Sequence, residues 1–341
     1  MPYYKASMKD FLLKLIHRHH LTRDEARSAF EAIMNGQASD AQIGALLMGL
    51  ASKGVHLDEL VGAHGVMRER VVSVPRGEDE IILDTCGTGG DVKGTFNIST
   101  AAALLVAACG VKVVKHGNRS ASSKSGSADV LEKLGVKLDL PAERLRECLD
   151  HAGICFAFAR NHHPAMKHVA AARTAMGVPT IFNLLGPLTN PARAHYQLLG
   201  VYSDHLTELL AGVLKESGSK RAWVVHAEDG LDELSTMSKT HVCELNNGTI
   251  SHWTLDPESL GISRPTLSEL QVDSIEQSAA IIVSIMDGDK TPARDIAGLN
   301  AAAGLVISGA VETLADGLRA VDRAVLTGAA RNTLSRLASF T

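Results

Sequence analysis

The chain has 341 residues and a formal net charge of −4. This charge argues against a dedicated nucleic-acid-binding protein, which needs a concentrated basic face to neutralise phosphates. The 5 cysteines form no CxxC pair, so they predict neither a zinc site nor a disulfide framework, and we expect a reducing, cytoplasmic setting. The sequence has no signal-peptide pattern and no apolar run near the roughly 20 residues that cross a bilayer, so we expect no membrane partner.

The first 70 residues predict helices only. Thr22 with Glu25, and Ser39 with Gln42, have the spacing of capping boxes, which mark helix starts. Apolar side chains then recur at the i, i+3, i+4, i+7 spacing of a helix face from Ile43 onward. No strand pattern occurs before residue 80, which predicts a small all-helical N-terminal domain.

The hydropathy pattern changes after residue 80, where short apolar runs alternate with helical stretches. "IILD", "VKVVKHG", "YQLLGVY" and "AWVVHA" predict buried strands, and therefore an α/β domain whose central, mostly parallel sheet is flanked by helices. Asn247–Gly248 predicts a hairpin turn, and Thr291–Pro292 predicts the start of a helix. Residues 163–183 have a helical pattern with no strand nearby, so we expect them to return to the helical domain.

These patterns predict two domains with interleaved boundaries. The helical domain comprises residues 1–75 joined by a returning segment at about 164–190. The larger α/β domain comprises residues 76–163 and 191–341.

A glycine-rich loop, "DTCGTGGDVKGTFNIST", follows the first predicted strand. Glycines at the carboxyl end of a parallel strand let backbone N–H groups approach an anion, and the next helix should start near Asn97 or Ser99. The dinucleotide fingerprint fails because Val92 stands where its last glycine belongs, and the P-loop pattern fails because Thr95 follows Gly94. The loop is therefore either another kind of phosphate site or a glycine-rich turn without a ligand.

Two further strand ends carry polar clusters. Residues 115–119, "KHGNR", precede a serine-rich stretch, and together with the first loop they favour a polyphosphate or sugar-phosphate site over a surface loop. Asp229, Asp232 and Glu233 follow "WVVHA" and suggest Mg²⁺, although an acidic helix N-terminus would have the same composition. No HExxH spacing or nucleophile signature occurs, which argues against a zinc hydrolase and against covalent catalysis.

Together these blocks resemble the anthranilate phosphoribosyltransferase family. The matching segments are "GTGGD" with "TFNIST", "KHGNR" with the serines after it, "TIFNLLGPLTNPA" at 180–192 and "DGLDE" at 229–233, in the family's order over nearly the whole chain. The resemblance implies Mg²⁺-dependent transfer of a phosphoribosyl group from phosphoribosyl pyrophosphate to the amine of anthranilate, in tryptophan biosynthesis. It also implies a homodimer that pairs through the helical domain and an active site in the cleft between domains.

The resemblance implies roles for individual residues. Mg²⁺ would be bound by Ser99, Asp232 and Glu233. Catalysis would be by positioning and electrostatics, through Lys115, His116 and Arg173. Anthranilate would contact Gly87, Asn118, Arg173 and His163. The phosphoribosyl donor would be held by Gly87, Gly90, Asp91, Thr95, Asn97, Ile98, Ser99, Thr100, Lys115, His116, Gly117, Asn118, Arg119, Ser120, Ala121, Ser122, Ser123 and Ser127.

Some positions depart from the family's pattern. Pro179 stands where many members have Arg, Ala171–Ala172 replaces Pro-Val, His162 replaces Tyr, and Ala227 replaces a frequent Gly. All but the last lie on the acceptor side, so they leave the identity of the acceptor open. The alternatives are a pyrimidine-nucleoside-phosphorylase-like enzyme of the same fold and a non-catalytic nucleic-acid-binding relative, which would lack both loops.

Overall fold

The structure is a computed structural model that describes residues 7–119 and 125–341. The chain divides into two compact units. The helical unit comprises the chain up to Val72 together with His162–Thr189, and the α/β unit comprises Ser73–Asn161 and Asn190–Thr341. The boundaries expected from the sequence were 75/76, 163/164 and 190/191.

The helical unit begins with four helices that bury one apolar face each. Thr22 and Ser39 accept hydrogen bonds from the backbone N–H groups of Glu25 and Gln42, so both predicted capping boxes are confirmed. The Phe30 ring packs against Phe182 with centroids 5.6 Å apart, which ties the returning segment to the N-terminal helices. The first four helices are α1 Met8–Ile16, α2 Arg23–Met34, α3 Asp40–Lys53 and α4 Leu57–Glu69.

The returning segment is broken, whereas the sequence predicted one helical stretch over 163–183. A 3₁₀ turn, Pro164–Met166, precedes α9 Lys167–Met176, and α10 Ile181–Leu188 follows after a gap. Gly177 ends α9 in the left-handed conformation, and Pro179 then disfavours helical backbone in the residue before it. A short helix, α8 Ala159–His162, lies where the chain passes from one unit to the other.

The α/β unit is built on a seven-stranded sheet of order β3-β2-β1-β4-β5-β6-β7. The first five strands in this order are parallel, and β6 and β7 are antiparallel. The predicted fold class, a helical domain plus an α/β domain with a mostly parallel sheet, is confirmed. The strands are β1 Ile82–Gly87, β2 Lys112–Gly117, β3 Ile154–Phe158, β4 Tyr196–Gly200, β5 Arg221–Ala227, β6 Thr240–Asn246 and β7 Thr249–Leu255.

Helices cover this sheet, and several of their ends follow the predicted signals. Thr291 accepts a bond from Arg294 N–H and caps α13, which confirms the predicted start. Asn247 and Gly248 both have left-handed backbone (φ +47° and +84°), the conformation of a tight hairpin turn between β6 and β7. The helices are α5 Ile98–Ala108, α6 Ser127–Lys133, α7 Ala142–Ala152, α11 His205–Glu216, α12 Ile275–Asp287, α13 Pro292–Ser308, α14 Leu314–Leu326 and α15 Ala329–Ser339.

The strand order reverses between β1 and β4. From β1 the chain builds outward to β2 and β3, and it then returns to the other side of β1 for β4 and β5. Ligands of open parallel sheets bind beyond the strand carboxyl ends at such a switch point. The loops after β1, β2 and β5 leave the sheet at this edge. In the part of the chain that the structure describes, no helix is long and apolar enough to cross a membrane.

Candidate active site

The glycine-rich loop, residues 88–97, connects β1 to α5 at the switch point. Asn97 caps α5, because its Oδ1 accepts hydrogen bonds from the backbone N–H (3.2 Å) and the hydroxyl of Thr100. The helix therefore starts where the sequence predicted. The loop is fixed on its far side, where Phe96 N–H donates to Leu270 O and Val272 N–H donates to Gly94 O, both at 2.9 Å.

The second loop leaves β2 beside the first. The buried Lys115 ammonium donates to Thr85 O (2.7 Å) and to Ser99 Oγ (3.1 Å), so it joins the end of β1 to the first turn of α5. Asn97 Nδ2 also donates to Ser125 O at 3.3 Å, which ties the two loops together.

The remaining predicted residues of the second loop have different surroundings. Gly117 lies against α6, where a Cβ atom would be 2.3 Å from Ser127 Oγ. The Arg119 guanidinium is engaged by two carboxylates of α6, Asp129 and Glu132, at 2.6–3.0 Å. Ser120, Ala121, Ser122 and Ser123 lie outside the described residues.

The third element is the acidic loop, which we define as residues 228–239 between β5 and β6. No helix follows Asp232 and Glu233, so the alternative of an acidic helix N-terminus is wrong. Asp232 Oδ2 accepts the backbone N–H of Gly89 at 2.9 Å, which brings the acidic loop against the glycine-rich loop. The Glu233 carboxylate interacts with the backbone of Ser99 and with the charge of Lys115.

The electrostatics of this region are those of buried carboxylates held close together. Burial, and then the charge of Asp91, raises the pKa of Asp232 to about 7. Burial and the charge of Asp232 also raise the pKa of Glu233. Burial lowers the pKa of Lys115, although the Asp84, Cys86 and Glu233 charges oppose this shift. Such shifts are typical of functional sites, where charged groups await a ligand.

The donor atoms here fit a hard divalent cation. The Asp232 and Glu233 carboxylates and the Ser99 hydroxyl are oxygen ligands, the type that Mg²⁺ prefers, and a cation would offset the repulsion that raises both carboxyl pKa values. Among residues 7–119 and 125–341, no group of three or more His, Cys, Asp or Glu side chains is arranged to hold a metal ion. The protein therefore offers only part of a coordination shell at this place.

The predicted acceptor residues are divided between the units: Arg173 and His163 belong to the helical unit, and Gly87 and Asn118 belong to the α/β unit. The Arg173 guanidinium lies over the Phe182 ring, 5.4 Å from its centroid, and burial lowers its pKa. Within the described residues, no carboxylate forms an ion pair with Arg173. His163 is buried, and burial lowers its pKa to about 4, so its imidazole is neutral at pH 7.

Of the five positions that depart from the family pattern, two are exposed and three, including Ala227, are buried. Ala171 and Pro179 are exposed, whereas Ala172 is buried. His162 is also buried, and its Nδ1 lies 2.6 Å from Val72 O.

Comparison with known proteins identifies the family. Two family descriptions match: "glycosyl transferase family, helical bundle domain" over residues 9–71, and "glycosyl transferase family, a/b domain" over residues 79–331. An anthranilate phosphoribosyltransferase from Methylobacterium sp. (strain 4-46) is 49% identical over 97% of this chain and 98% of its own length. The chain belongs to the anthranilate phosphoribosyltransferase family. It is therefore an enzyme, a glycosyltransferase.

Solved structures of this family share the fold. The anthranilate phosphoribosyltransferase from Thermus thermophilus has a TM-score of 0.90 and 40% identity, covering 97% of this chain and 99% of its own. The enzyme from Saccharomyces cerevisiae in complex with PRPP and Mg has a TM-score of 0.88 and 25% identity, covering 98% and 97%.

Three residues that contact the loops of the candidate site were not identified from the sequence. Asp84 is fully buried on β1, and its Oδ1 accepts the backbone N–H of His116 at 3.1 Å. Burial raises the pKa of Asp84 to about 6. Gly200 ends β4, and Asn300 lies in α13 beside the acidic loop. A buried acid within an apolar strand was a visible signal for Asp84, but the other two depend on distant contacts.

Proposed function

We propose that the chain transfers the phosphoribosyl group of phosphoribosyl pyrophosphate to the amine of anthranilate and releases pyrophosphate, in a step of tryptophan biosynthesis. The observation that carries this proposal is the meeting of Ser99, Lys115, Asp232 and Glu233 at the carboxyl edge of the sheet. The Lys115 ammonium, the N-terminus of α5 and the two carboxylates lie together at the switch point. This combination suits the binding of pyrophosphate together with a metal ion.

The donor is expected to bind along both loops. The first turn of α5 presents the positive end of the helix dipole, and the glycines before it admit phosphate oxygens without a Cβ in the way. Lys115 supplies a fixed positive charge that is already oriented by Thr85 and Ser99. These groups stabilise negative charge as it moves onto the departing pyrophosphate.

The metal requirement belongs to the same proposal. Asp232, Glu233 and Ser99 would hold Mg²⁺, with donor oxygens and water completing its shell. When bound, Mg²⁺ neutralises pyrophosphate and so improves it as a leaving group. The S. cerevisiae relative binds PRPP and Mg.

The acceptor is expected to be held by Arg173. A partly buried guanidinium without a carboxylate partner among the described residues can bind a carboxylate through two parallel hydrogen bonds, and anthranilate carries one carboxylate beside its amine. No covalent nucleophile is needed, because positioning the amine at the sugar carbon and stabilising the leaving group suffice. Neutral His163 adds no positive charge of its own.

The test is a direct assay. Purified protein with Mg²⁺, phosphoribosyl pyrophosphate and anthranilate should consume anthranilate, followed by the loss of its fluorescence. The double variant Asp232→Asn, Glu233→Gln should lose at least about a hundredfold in kcat/KM, since it removes both charged ligands. Turnover with another aromatic amine but not with anthranilate would reassign the acceptor, and full activity in the double variant would reject the metal site.

Location, oligomeric state and the absence of nucleic-acid and membrane binding are also part of this proposal. The enzyme is a cytoplasmic homodimer that pairs through its helical unit, and it binds neither nucleic acid nor membranes. All five cysteines are free thiols, which suits a reducing compartment, and the net charge of −4 disfavours nucleic acid. Retention on a DNA column at moderate salt would contradict the last point.

A further inference from the structure

Asn300 is a buried polar residue in the middle of a helix made largely of small apolar residues. It lies in α13, where residues 296–307 are all buried, and its own side chain is fully buried. Asparagine is unfavourable inside helices, and a buried amide is costly unless its hydrogen bonds are satisfied. The buried amide must therefore have hydrogen-bonding partners, which an apolar residue at this position could not bind.

The partner is the backbone of the acidic loop. Asn300 Oδ1 accepts the N–H of Leu234 at 3.0 Å, and Asn300 Nδ2 donates to Leu234 O at 2.9 Å. The second hydrogen of Nδ2 goes to Ile296 O, also at 2.9 Å, within the same helix. One side chain thus satisfies both polar groups of the residue that directly follows Glu233.

Asn300 supplies one of several sets of hydrogen bonds that hold the acidic loop. The loop contains no helix or strand, and Asp229 organises its earlier part by accepting Leu231 N–H (3.0 Å) and the Ser235 hydroxyl (2.6 Å). The charges of the Asp232 and Glu233 carboxylates repel each other, so an unrestrained loop would move them apart. The bond pair from α13 resists this movement.

We propose that Asn300 is a positioning residue of the donor and Mg²⁺ site. It holds Leu234, and through it Asp232 and Glu233, at the end of β1 before any ligand binds. Asn300 contacts neither substrate nor metal, and its effect is on donor affinity. This inference rests on the proposed function.

The first test compares two substitutions on the same helix. Asn300→Leu keeps the approximate size of the side chain but removes all three hydrogen bonds, and Ile307→Ala is the control for a general loss of packing. Titration calorimetry with Mg²⁺ and phosphoribosyl pyrophosphate, without acceptor, should show donor affinity weakened about tenfold or more in Asn300→Leu, as for outer partners of metal ligands. Ile307→Ala should stay within about twofold of the unsubstituted protein.

Steady-state kinetics should distinguish Asn300→Leu from Ile307→Ala in the same way. The KM for the donor and the Mg²⁺ concentration for half-maximal rate should rise about tenfold in Asn300→Leu, while the KM for anthranilate changes little. If Asn300→Leu lowers only the unfolding temperature, and donor affinity and Mg²⁺ dependence are those of Ile307→Ala, then Asn300 is a packing residue and the inference is wrong.

A measurement on the unsubstituted protein decides the question even if Asn300→Leu does not fold. Hydrogen exchange at the Leu234 amide should be as slow as at the α13 amides, both without ligand and with Mg²⁺ and donor. Fast exchange that slows only on donor binding would show that the loop is not held in advance, and would overturn the inference. This result needs no turnover, so it stands apart from a failure of the anthranilate assay.

Discussion

Two glycines determine how closely Asp232 approaches the sheet. A Cβ atom at Gly200 would lie 1.5 Å from Asp232 O, and one at Gly87 would lie 2.6 Å from Asp232 Oδ2. Neither glycine has a positive φ, so the requirement is space rather than backbone conformation. The ends of β4 and β1 thus leave room for the acidic loop, and α13 holds it from behind through Asn300.

Replacement of Gly200 should therefore damage donor binding. Gly200→Ala places a methyl group inside the Asp232 backbone, so the loop must shift, and we expect a loss of about 1–3 kcal/mol in the free energy of unfolding. We also expect at least a tenfold rise in the KM for the donor. Gly298→Ala is the control, because its new methyl group would meet its nearest neighbours at 3.9 Å. Equal donor KM values for the two variants would contradict this account.

Arg173 should govern acceptor affinity alone. Removing a charge-assisted, two-bond contact with a carboxylate is worth about 1.5–3 kcal/mol, so Arg173→Ala should raise the KM for anthranilate by about 10- to 100-fold. The KM for the donor should change little. Arg173→Lys is the matched variant, which keeps the charge but not the planar fork, and it should be intermediate. A similar rise in both KM values for Arg173→Ala would point to a general structural effect.

Replacing Asp232 should stabilise the protein without Mg²⁺, although Asp232 is a proposed Mg²⁺ ligand. Burial raises the pKa of Asp232 from its ordinary value of 3.8 to about 7. The folded protein therefore favours the protonated carboxyl group, and its stability falls as the pH rises through 7. Asp232→Asn should therefore be more stable than the unsubstituted protein at pH 8 without Mg²⁺, by at least about 1 kcal/mol, and equal near pH 4. Urea unfolding at both pH values measures this. A variant that is less stable at pH 8 would refute it.

At the scale of secondary-structure elements, the opposite edge of the sheet is held by an ion-pair network. Glu80, just before β1, binds Lys112 on β2 (2.6 Å) and Arg146 on α7 (2.5 and 3.1 Å). Asp150 on α7 bonds to the same two cations. Four side chains thus join one loop, one strand and one helix at the edge of the sheet opposite the candidate site.

This network should make the free energy of unfolding fall at low pH. Burial opposes ionisation of Glu80, but its bonds to Arg146, Lys112 and Gly77 outweigh it and lower the pKa to about 2. The contribution is present above pH 4.5 and is lost as pH falls towards 2. Glu80→Gln should cost about 1–2 kcal/mol at pH 7 and nothing near pH 2, as measured by urea unfolding, while Glu78→Gln should be neutral. A pH-independent deficit would argue against a charge effect.

Local signals predicted those elements whose ends are chemically marked. Thr22, Ser39, Asn97 and Thr291 have side chains that cap their own helices, and Asn247–Gly248 forms its own turn, so each could be predicted from a few neighbouring residues. Strand β3 was missed because "ICFAF" is a short apolar run directly after a helix, without the alternation that marks a strand.

In the candidate site too, some residues could be predicted from local sequence and others depend on distant contacts. The positions of the glycine-rich loop, Lys115 and the acidic pair were predictable because each lies at or shortly after the carboxyl end of an apolar strand. Gly200 and Asn300 act through contacts with residues 32 and 66 positions away, at Asp232 and Leu234, and no local pattern records such partners.

At the scale of the whole molecule, the proposed dimer concerns the helical unit. Leu13 and Ile16 on α1 and Met48 on α3 are exposed apolar side chains, with Ile16 72% exposed. Ile16→Glu would place a charge in a contact between two copies and should give a monomer by light scattering, because a buried unpaired charge is costly. Leu326→Glu is the control, since Leu326 is 79% exposed but lies on α14 of the other unit. An unchanged dimer in Ile16→Glu would move the interface elsewhere.

The interleaving of the two units bears on the order in which they form during synthesis. The Phe30 ring meets Phe182 in the core of the helical unit, and Leu188 O is 3.0 Å from His64 Nε2. These contacts cannot close until residue 188 has left the ribosome, by which time β1, β2 and β3 are already outside. The first helices to emerge therefore wait, with one face uncovered, for a segment made much later. A chain released early, before residue 182, would lack both the Phe182 ring that packs on Phe30 and the β4 partner of β1.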